Sequence, residues 1–200
     1  YYTEFMINFE GGFVRRGLLG QLLYRLCAAT GWSPEFIIVP LALAACGFVL
    51  WFFFRQFYKR HYCWWLLCSP LFCGHLIDII RKDFMLYAIL IGVCYLLASD
   101  KPGMIKRCTA MMLMCLGLFV HEAFLFWGLP LYVLLLFSDK DGRRIADVLM
   151  TVVVVAVFGL MCIYKGDKTI AIGIVESWNA IMDGSPMYYI EGISVADEGQ

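Results

Sequence analysis

The sequence predicts an all-α protein, a polytopic bundle of transmembrane helices, and three observations carry that prediction. Apolar residues fill 62% of the 200 positions and charged residues only 16%, against roughly 25% charged in soluble domains. The apolar residues are also clustered. Phe36 to Phe54 runs nineteen residues without a charge, and Ile145 to Tyr164 holds a single Asp near its start. About 20 apolar residues cross a ~30 Å hydrocarbon core, so each run is long enough to span it. The third observation is the placement of the charges, which sum to zero but are gathered between the apolar runs.

Taken in order, Tyr1 to Gly17 is polar and aromatic and leads into Leu18 to Ala29, which is too short to span. Gln21 and Arg25 make this piece an amphipathic helix lying in the membrane interface. Trp32, Ser33 and Pro34 punctuate the chain before the first span, Phe36 to Phe54. The basic loop Arg55 to His61 follows, then a second apolar run, Tyr62 to Ile80, containing His75 and Asp78. Arg81, Lys82 and Asp83 interrupt before a third run, Phe84 to Ala98, and the loop Ser99 to Arg107.

Cys108 to Phe137 is thirty residues long with His121 and Glu122 in its middle. As one helix it would reach about 45 Å, so two short helices meeting near His121 and Glu122 fit better than one long kinked or tilted helix. Each half is about 20 to 25 Å, which leaves their junction recessed in the membrane. The loop Asp139 to Arg144, a last span to Tyr164 and a polar tail complete the layout. The expected organisation is an outer-face N-terminal segment with its interfacial helix over 1–34, a transmembrane bundle over 35–164, and a polar outer-face tail over 165–200. The bundle has about six membrane segments, including the short re-entrant-like pair. The opening Tyr1 and the stretch Ser194 to Gln200 read as the edges of a piece of a longer chain. The first seventeen residues carry Glu4, Glu10, Arg15 and Arg16 and have no apolar core of a signal peptide.

Short cytoplasmic loops collect Lys and Arg, and loops 55–61, 99–107 and 138–144 hold three each. Two-helix spacing puts all three loops on one side, which is then cytoplasmic. The outer side receives the N-terminal segment, the Arg81-Lys82-Asp83 turn, the His121-Glu122 junction and the tail. Twelve of the sixteen acidic residues fall there by the same assignment, so the charge asymmetry agrees with the loop count.

The exceptional charges are therefore gathered on one face: Glu10, Arg15 and Arg16; His75, Asp78, Arg81, Lys82 and Asp83; His121 and Glu122. An ionisable group within a span costs about 2.5 to 3.5 kcal/mol, so such groups face a cavity or a partner. If the second run stays helical to its end, His75, Asp78 and Lys82 share one side at i, i+3, i+7, with Arg81 adjoining. Arg15, Arg16, Arg81 and Lys82 suit a phosphate or diphosphate, and Asp83, Glu122, Asp78 or His121 suits proton transfer from an attacking hydroxyl. Sugar transfer from a lipid diphosphate needs both functions. The plain alternative is that the opposite charges neutralise one another as structural glue.

Other motifs point to less. His121-Glu122 is not HExxH, because positions 124 and 125 are Phe and Leu. No metal or other cofactor is expected. Nine cysteines form no CxxC pair, and Cys46, Cys68, Cys73, Cys94, Cys115 and Cys162 lie in apolar runs as small membrane-compatible side chains. Gly11-Gly12 and Gly17 to Gly20 form no phosphate loop, and Trp64 and Trp65 read as interfacial anchors.

The run Ile77 to Ala88 (IDIIRKDFMLYA) is followed some forty residues later by Phe119 to Tyr132 (FVHEAFLFWGLPLY). This pair resembles the signature of EpsG/Wzy-type bacterial polysaccharide polymerases, polytopic proteins similar to GT-C glycosyltransferases. In that family an Arg opens the helix after an outward turn and a His introduces a short apolar helix, roles that Arg81 and His121 match. The family's Asn or Gln around its Arg is replaced here by Asp78 and Lys82-Asp83, and its small residue or Ser after the His by Glu122. The segment Phe9 to Gly20 (FEGGFVRRGLLG) also resembles the opening of a group of uncharacterised bacterial membrane proteins. The resemblance implies a glycosyltransferase or glycan polymerase in the bacterial cytoplasmic membrane, with the bilayer and a polyprenyl-diphosphate-linked glycan as partners and no nucleic acid. A transporter or flippase for an anionic lipid or polymer, and a non-catalytic membrane scaffold, remain open alternatives.

Overall fold

The computed structural model describes residues 2–57, 81–98, 103–138, 144–164 and 166–182. Those residues are all-α: a 3-10 turn, Tyr2–Met6, and seven helices with no strand among them. The helices are α1 (Gly17–Thr30), α2 (Pro34–Phe57), α3 (Asp83–Leu97), α4 (Met104–Val120), α5 (Phe124–Ser138), α6 (Arg144–Ile163) and α7 (Lys168–Asn179). The expected run Tyr62 to Ile80, with His75, Asp78, Trp64 and Trp65, lies outside the described residues, as does the tail beyond 182.

Local chemistry sets most of the helix ends. Gly31 closes α1 in the left-handed conformation (φ 69°), its N–H donating to the Cys27 carbonyl at 2.8 Å. Pro34 opens α2, where its missing N–H costs nothing. Asp83 lies in the first turn of α3, and the Asp167 side chain accepts from the Ile170 N–H at 2.9 Å to cap α7.

The thirty-residue apolar run divides into α4 and α5, with His121 to Ala123 between them. His121 takes extended backbone (φ −161°, ψ 124°), and its Nδ1 accepts from the Ala123 N–H at 3.1 Å. Gly117 makes the reversal possible: a Cβ there would stand 2.4 Å from the Phe124 ring, which packs against the bare backbone of α4. Helix α4 is the hub of the bundle, packed against α1, α3, α5 and α6.

The expectation of about six membrane segments is corrected in part. Two described helices are long and apolar enough to cross a membrane, α2 through Gln56 and α6, and in each only 22% of the most apolar stretch is buried. Their apolar side chains face outward, as at Phe36, Leu43 and Trp51 on α2 and Ile145, Leu149 and Val152 on α6. Helices α3 and α5 are apolar but only 15 residues each, and α4 has 17 with Lys106 and Arg107 in its first turn. At ~1.5 Å per residue these reach about 22 to 26 Å, short of a ~30 Å core. Charged and polar residues at 81–83, 106–107 and 121–122 set those ends.

The N-terminal segment, read as polar and aromatic, is partly built into the core. Phe5, Met6, Ile7 and Asn8 are buried. The chain presses onto α1 at Gly20, where a Cβ would come within 1.9 Å of the Ile7 carbonyl oxygen. Helix α1 buries Leu19, Leu23 and Cys27, one face at i, i+4, i+8, and leaves Leu22 and Leu26 exposed. Helix α7, inside the stretch read as polar tail, seals the other side: the Trp178 indole donates to the Met6 carbonyl at 2.6 Å, and Asn8 donates to Ser177 at 2.9 Å. The described cysteines at 27, 46, 94, 108, 115 and 162 are free thiols.

Candidate functional site

Three elements distant in sequence meet at the α4–α5 break: the end of the N-terminal segment, the start of α3 and the break itself. Arg16 is the residue before α1 and the one described non-glycine residue with positive φ (69°). Such a conformation costs about 1 kcal/mol or more and persists where surrounding contacts hold it. Here the contact is a two-point clamp. Arg16 Nε donates to Glu122 Oε2 at 2.5 Å and its Nη2 donates to Oε1. Arg15 adds a second guanidinium 3.8 Å from the same carboxylate.

Burial alone would raise the Glu122 pKa, but the hydrogen bonds and charge of Arg16 outweigh it and hold the group at about 2, below its ordinary 4.5. The partner responds in kind: burial opposes the Arg16 charge, and Glu122 raises its pKa in spite of that. In this arrangement Glu122 is a weak proton acceptor, and its expected role as a base needs Arg16 to let go.

Lys82 stands differently. Its side chain is only 1% exposed, and its Nζ meets no hydrogen-bond partner among the described residues. Its Nζ stands over the Phe5 ring, 5.9 Å from the centroid. Burial pushes its pKa down from 10.5 to about 8, with Glu4 and Glu122 pulling upward and Arg16 downward. A buried ammonium without a partner is costly, and one that persists beside two carboxylates and a guanidinium is a donor waiting for an acceptor.

His121 completes the group. Its Nδ1 serves as acceptor for the Ala123 N–H, so the neutral ring carries its proton on Nε2. Burial and Arg16 lower its pKa, which favours that neutral form. The arrangement makes His121 a fixed N–H donor at the start of α5.

The remaining expected residues fall elsewhere. Arg81 and Asp83 pair with each other at 3.1 Å, within electrostatic reach of Tyr87 on α3. Glu10 bonds Gln21 at 2.8 Å and Arg25 at 3.2 Å over the exposed face of α1. His75 and Asp78 lie outside the described residues. The structure thus brings Arg15, Arg16, Lys82, His121 and Glu122 together and sets Arg81 with Asp83 apart. It adds Glu4, whose charge reaches Arg16, Lys82 and His121.

A second polar cluster escaped sequence reading. Arg107, in the first turn of α4, and Asp147, in the first turn of α6, form an ion pair with side chains 1% and 4% exposed. Tyr132 of α5 lies within electrostatic reach, and its hydroxyl is buried without a hydrogen-bond partner among the described residues. The available signal was the lone Asp at the head of an otherwise uncharged span. No group of three or more potential metal ligands occurs among the described residues.

Comparison of the chain with protein-family models, curated proteins and solved structures finds no match in any of the three.

Proposed function

We propose that this chain is a multi-pass bacterial inner-membrane glycosyltransferase or glycan polymerase that acts on lipid-linked sugars at the outer face of the cytoplasmic membrane. The outward apolar faces of α2 and α6 support a bilayer environment. In this reading about six segments enter the membrane, with α4 and α5 as a re-entrant-like pair whose junction carries the site.

The observation that carries the functional part is Lys82, a buried ammonium with no partner among the described residues, beside Arg16 and His121. Such a concentration of donors suits a diphosphate. Arg15, Arg16 and Lys82 hold the leaving diphosphate and His121 donates through Nε2. Glu122 is the preferred base, and Asp83 the alternative. Arg81, paired with Asp83, would serve the lipid-linked substrate from the neighbouring edge.

Two experiments test this reading. Single cysteines at positions 82, 122 and 140, in a background without native cysteines, should label with an impermeant reagent at 82 and 122 but not at 140. Equal labelling at 82 and 140 breaks the sidedness. Lys82→Met and Arg16→Ala should then each abolish glycan assembly in cells at normal protein levels, and retained assembly in both removes the catalytic reading.

A further inference from the structure

We propose that Glu122 is a resident counter-anion which the donor's diphosphate displaces from Arg16, and that this exchange frees the carboxylate to act as the base. The inference rests on the diphosphate reading of the site and adds an order of events to it. Glu122 meets Arg16 through two donors, Nε to Oε2 and Nη2 to Oε1. That forked geometry is the one an Arg offers two oxygens of a phosphate, so the carboxylate stands where phosphate oxygens would stand. The site is also overbuilt for a carboxylate alone. Arg15 stands 3.8 Å from Glu122, and Lys82 is buried with no hydrogen-bond partner among the described residues, so neither is consumed by the clamp. A diphosphate can use Arg16 and Lys82 together, whereas the short Glu122 side chain uses only the first.

The exchange has a chemical consequence. While Arg16 holds it, Glu122 is a poor proton acceptor. When the diphosphate takes the guanidinium, the carboxylate loses the hydrogen bonds that stabilised its charge, and its affinity for a proton rises. In the transfer step an acceptor hydroxyl gives its proton to Glu122 as its oxygen bonds to the anomeric carbon. The bond from that carbon to the diphosphate oxygen breaks, and its electron pair leaves on the lipid diphosphate, which Arg16 and Lys82 hold. The base is thus released only when a donor is seated, which protects the site from proton transfer without substrate.

The test is binding of farnesyl diphosphate and of inorganic pyrophosphate to the purified full chain in detergent, measured by calorimetry. Removing a competing internal charge should tighten binding, so Glu122→Gln should bind farnesyl diphosphate about 10-fold more tightly than wild type while losing transfer. Lys82→Met should bind it about 10-fold or more weakly. If Glu122→Gln fails to fold, Glu122→Asp, which withdraws the charge by one methylene, should tighten binding by a smaller factor. Binding left unchanged or weakened by both Glu122 variants overturns the exchange. If Lys82→Met still weakens binding in that case, the diphosphate reading survives without it. Tighter binding by the Glu122 variants with no glycan transfer by wild type supports the exchange and removes the transferase reading. Equal affinity for pyrophosphate supports the exchange with a free anion as its source, and failure of wild type to bind either probe overturns both.

Discussion

Two polar clusters sit at opposite ends of α4, and they are balanced differently. At its start, Arg107 and Asp147 lock α4 to α6 with both side chains almost fully enclosed. At its end, Arg16 and Glu122 are similarly bonded but partly exposed, with side chains 25% and 15% accessible, and Lys82 stands beside them without a hydrogen-bond partner among the described residues. The first cluster sets a guanidinium directly against a carboxylate. The second holds more donors than its carboxylates consume. A closed pair fastens helices, while an unbalanced group retains capacity for something that arrives from outside.

The largest expected effect tests the closed pair. Asp147→Ala removes the carboxylate that Arg107 meets in this buried pair, which should cost about 3–5 kcal/mol of stability in detergent unfolding. The double variant Arg107→Met with Asp147→Leu should recover most of that. A loss under about 1 kcal/mol for Asp147→Ala would show that water reaches the pair and that the contrast between the clusters is false.

Lys82 should behave oppositely. Removing a buried ammonium with no hydrogen-bond partner among the described residues stabilises, so Lys82→Met should gain about 1–3 kcal/mol at neutral pH while losing function. The pH dependence is specific. Unfolded Lys keeps its proton up to an ordinary 10.5 and folded Lys82 only to about 8, so the unfolded state binds more protons between those values. Wild-type stability should therefore rise with pH from about 8 to 10.5 by this contribution, and Lys82→Met should flatten the rise. An unchanged slope in the variant would mean that Lys82 is solvated.

A smaller effect belongs to Glu122. Its folded pKa of about 2 lies below its ordinary 4.5, so the stability it contributes is present above 4.5 and is lost as pH falls toward 2. Thermal melts across that window should lose part of their acid dependence in Glu122→Gln. Tyr132→Phe should change stability least, by less than about 1 kcal/mol and in the stabilising direction, because the hydroxyl it deletes has no partner among the described residues.

Much of the helical layout was legible in the residues. The charge-free run at Phe36 to Phe54 and the apolar run after Ile145 are long enough to announce α2 and α6, and His121 with Glu122 in a run too long for one helix announced the break between α4 and α5. The candidate cluster was legible as a list: Arg15, Arg16, Lys82, His121 and Glu122 are all charged or polar residues at the edges of apolar runs. Their partition was not. Lys82 and Asp83 are adjacent in sequence, yet Lys82 lies within reach of Glu122 and Arg16 while Asp83 turns to Arg81. The buried course of Phe5 to Asn8 was hidden because its partners, Gly20 on α1 and Trp178 on α7, lie as far as 172 positions away and leave no local period.

The sequence by itself determined that this chain is helical, where most of its described helices begin and end, and that its charges are confined to a few boundaries. Those properties follow from composition and spacing along one dimension. Only the tertiary structure decided that Arg16 meets Glu122, that Lys82 is left without a hydrogen-bond partner among the described residues, and that Arg107 is buried against Asp147. Pairing between charges depends on which helix ends come together, and that is settled by close approaches such as Gly117 against Phe124 and Gly20 against Ile7, whose partners only the folded chain identifies.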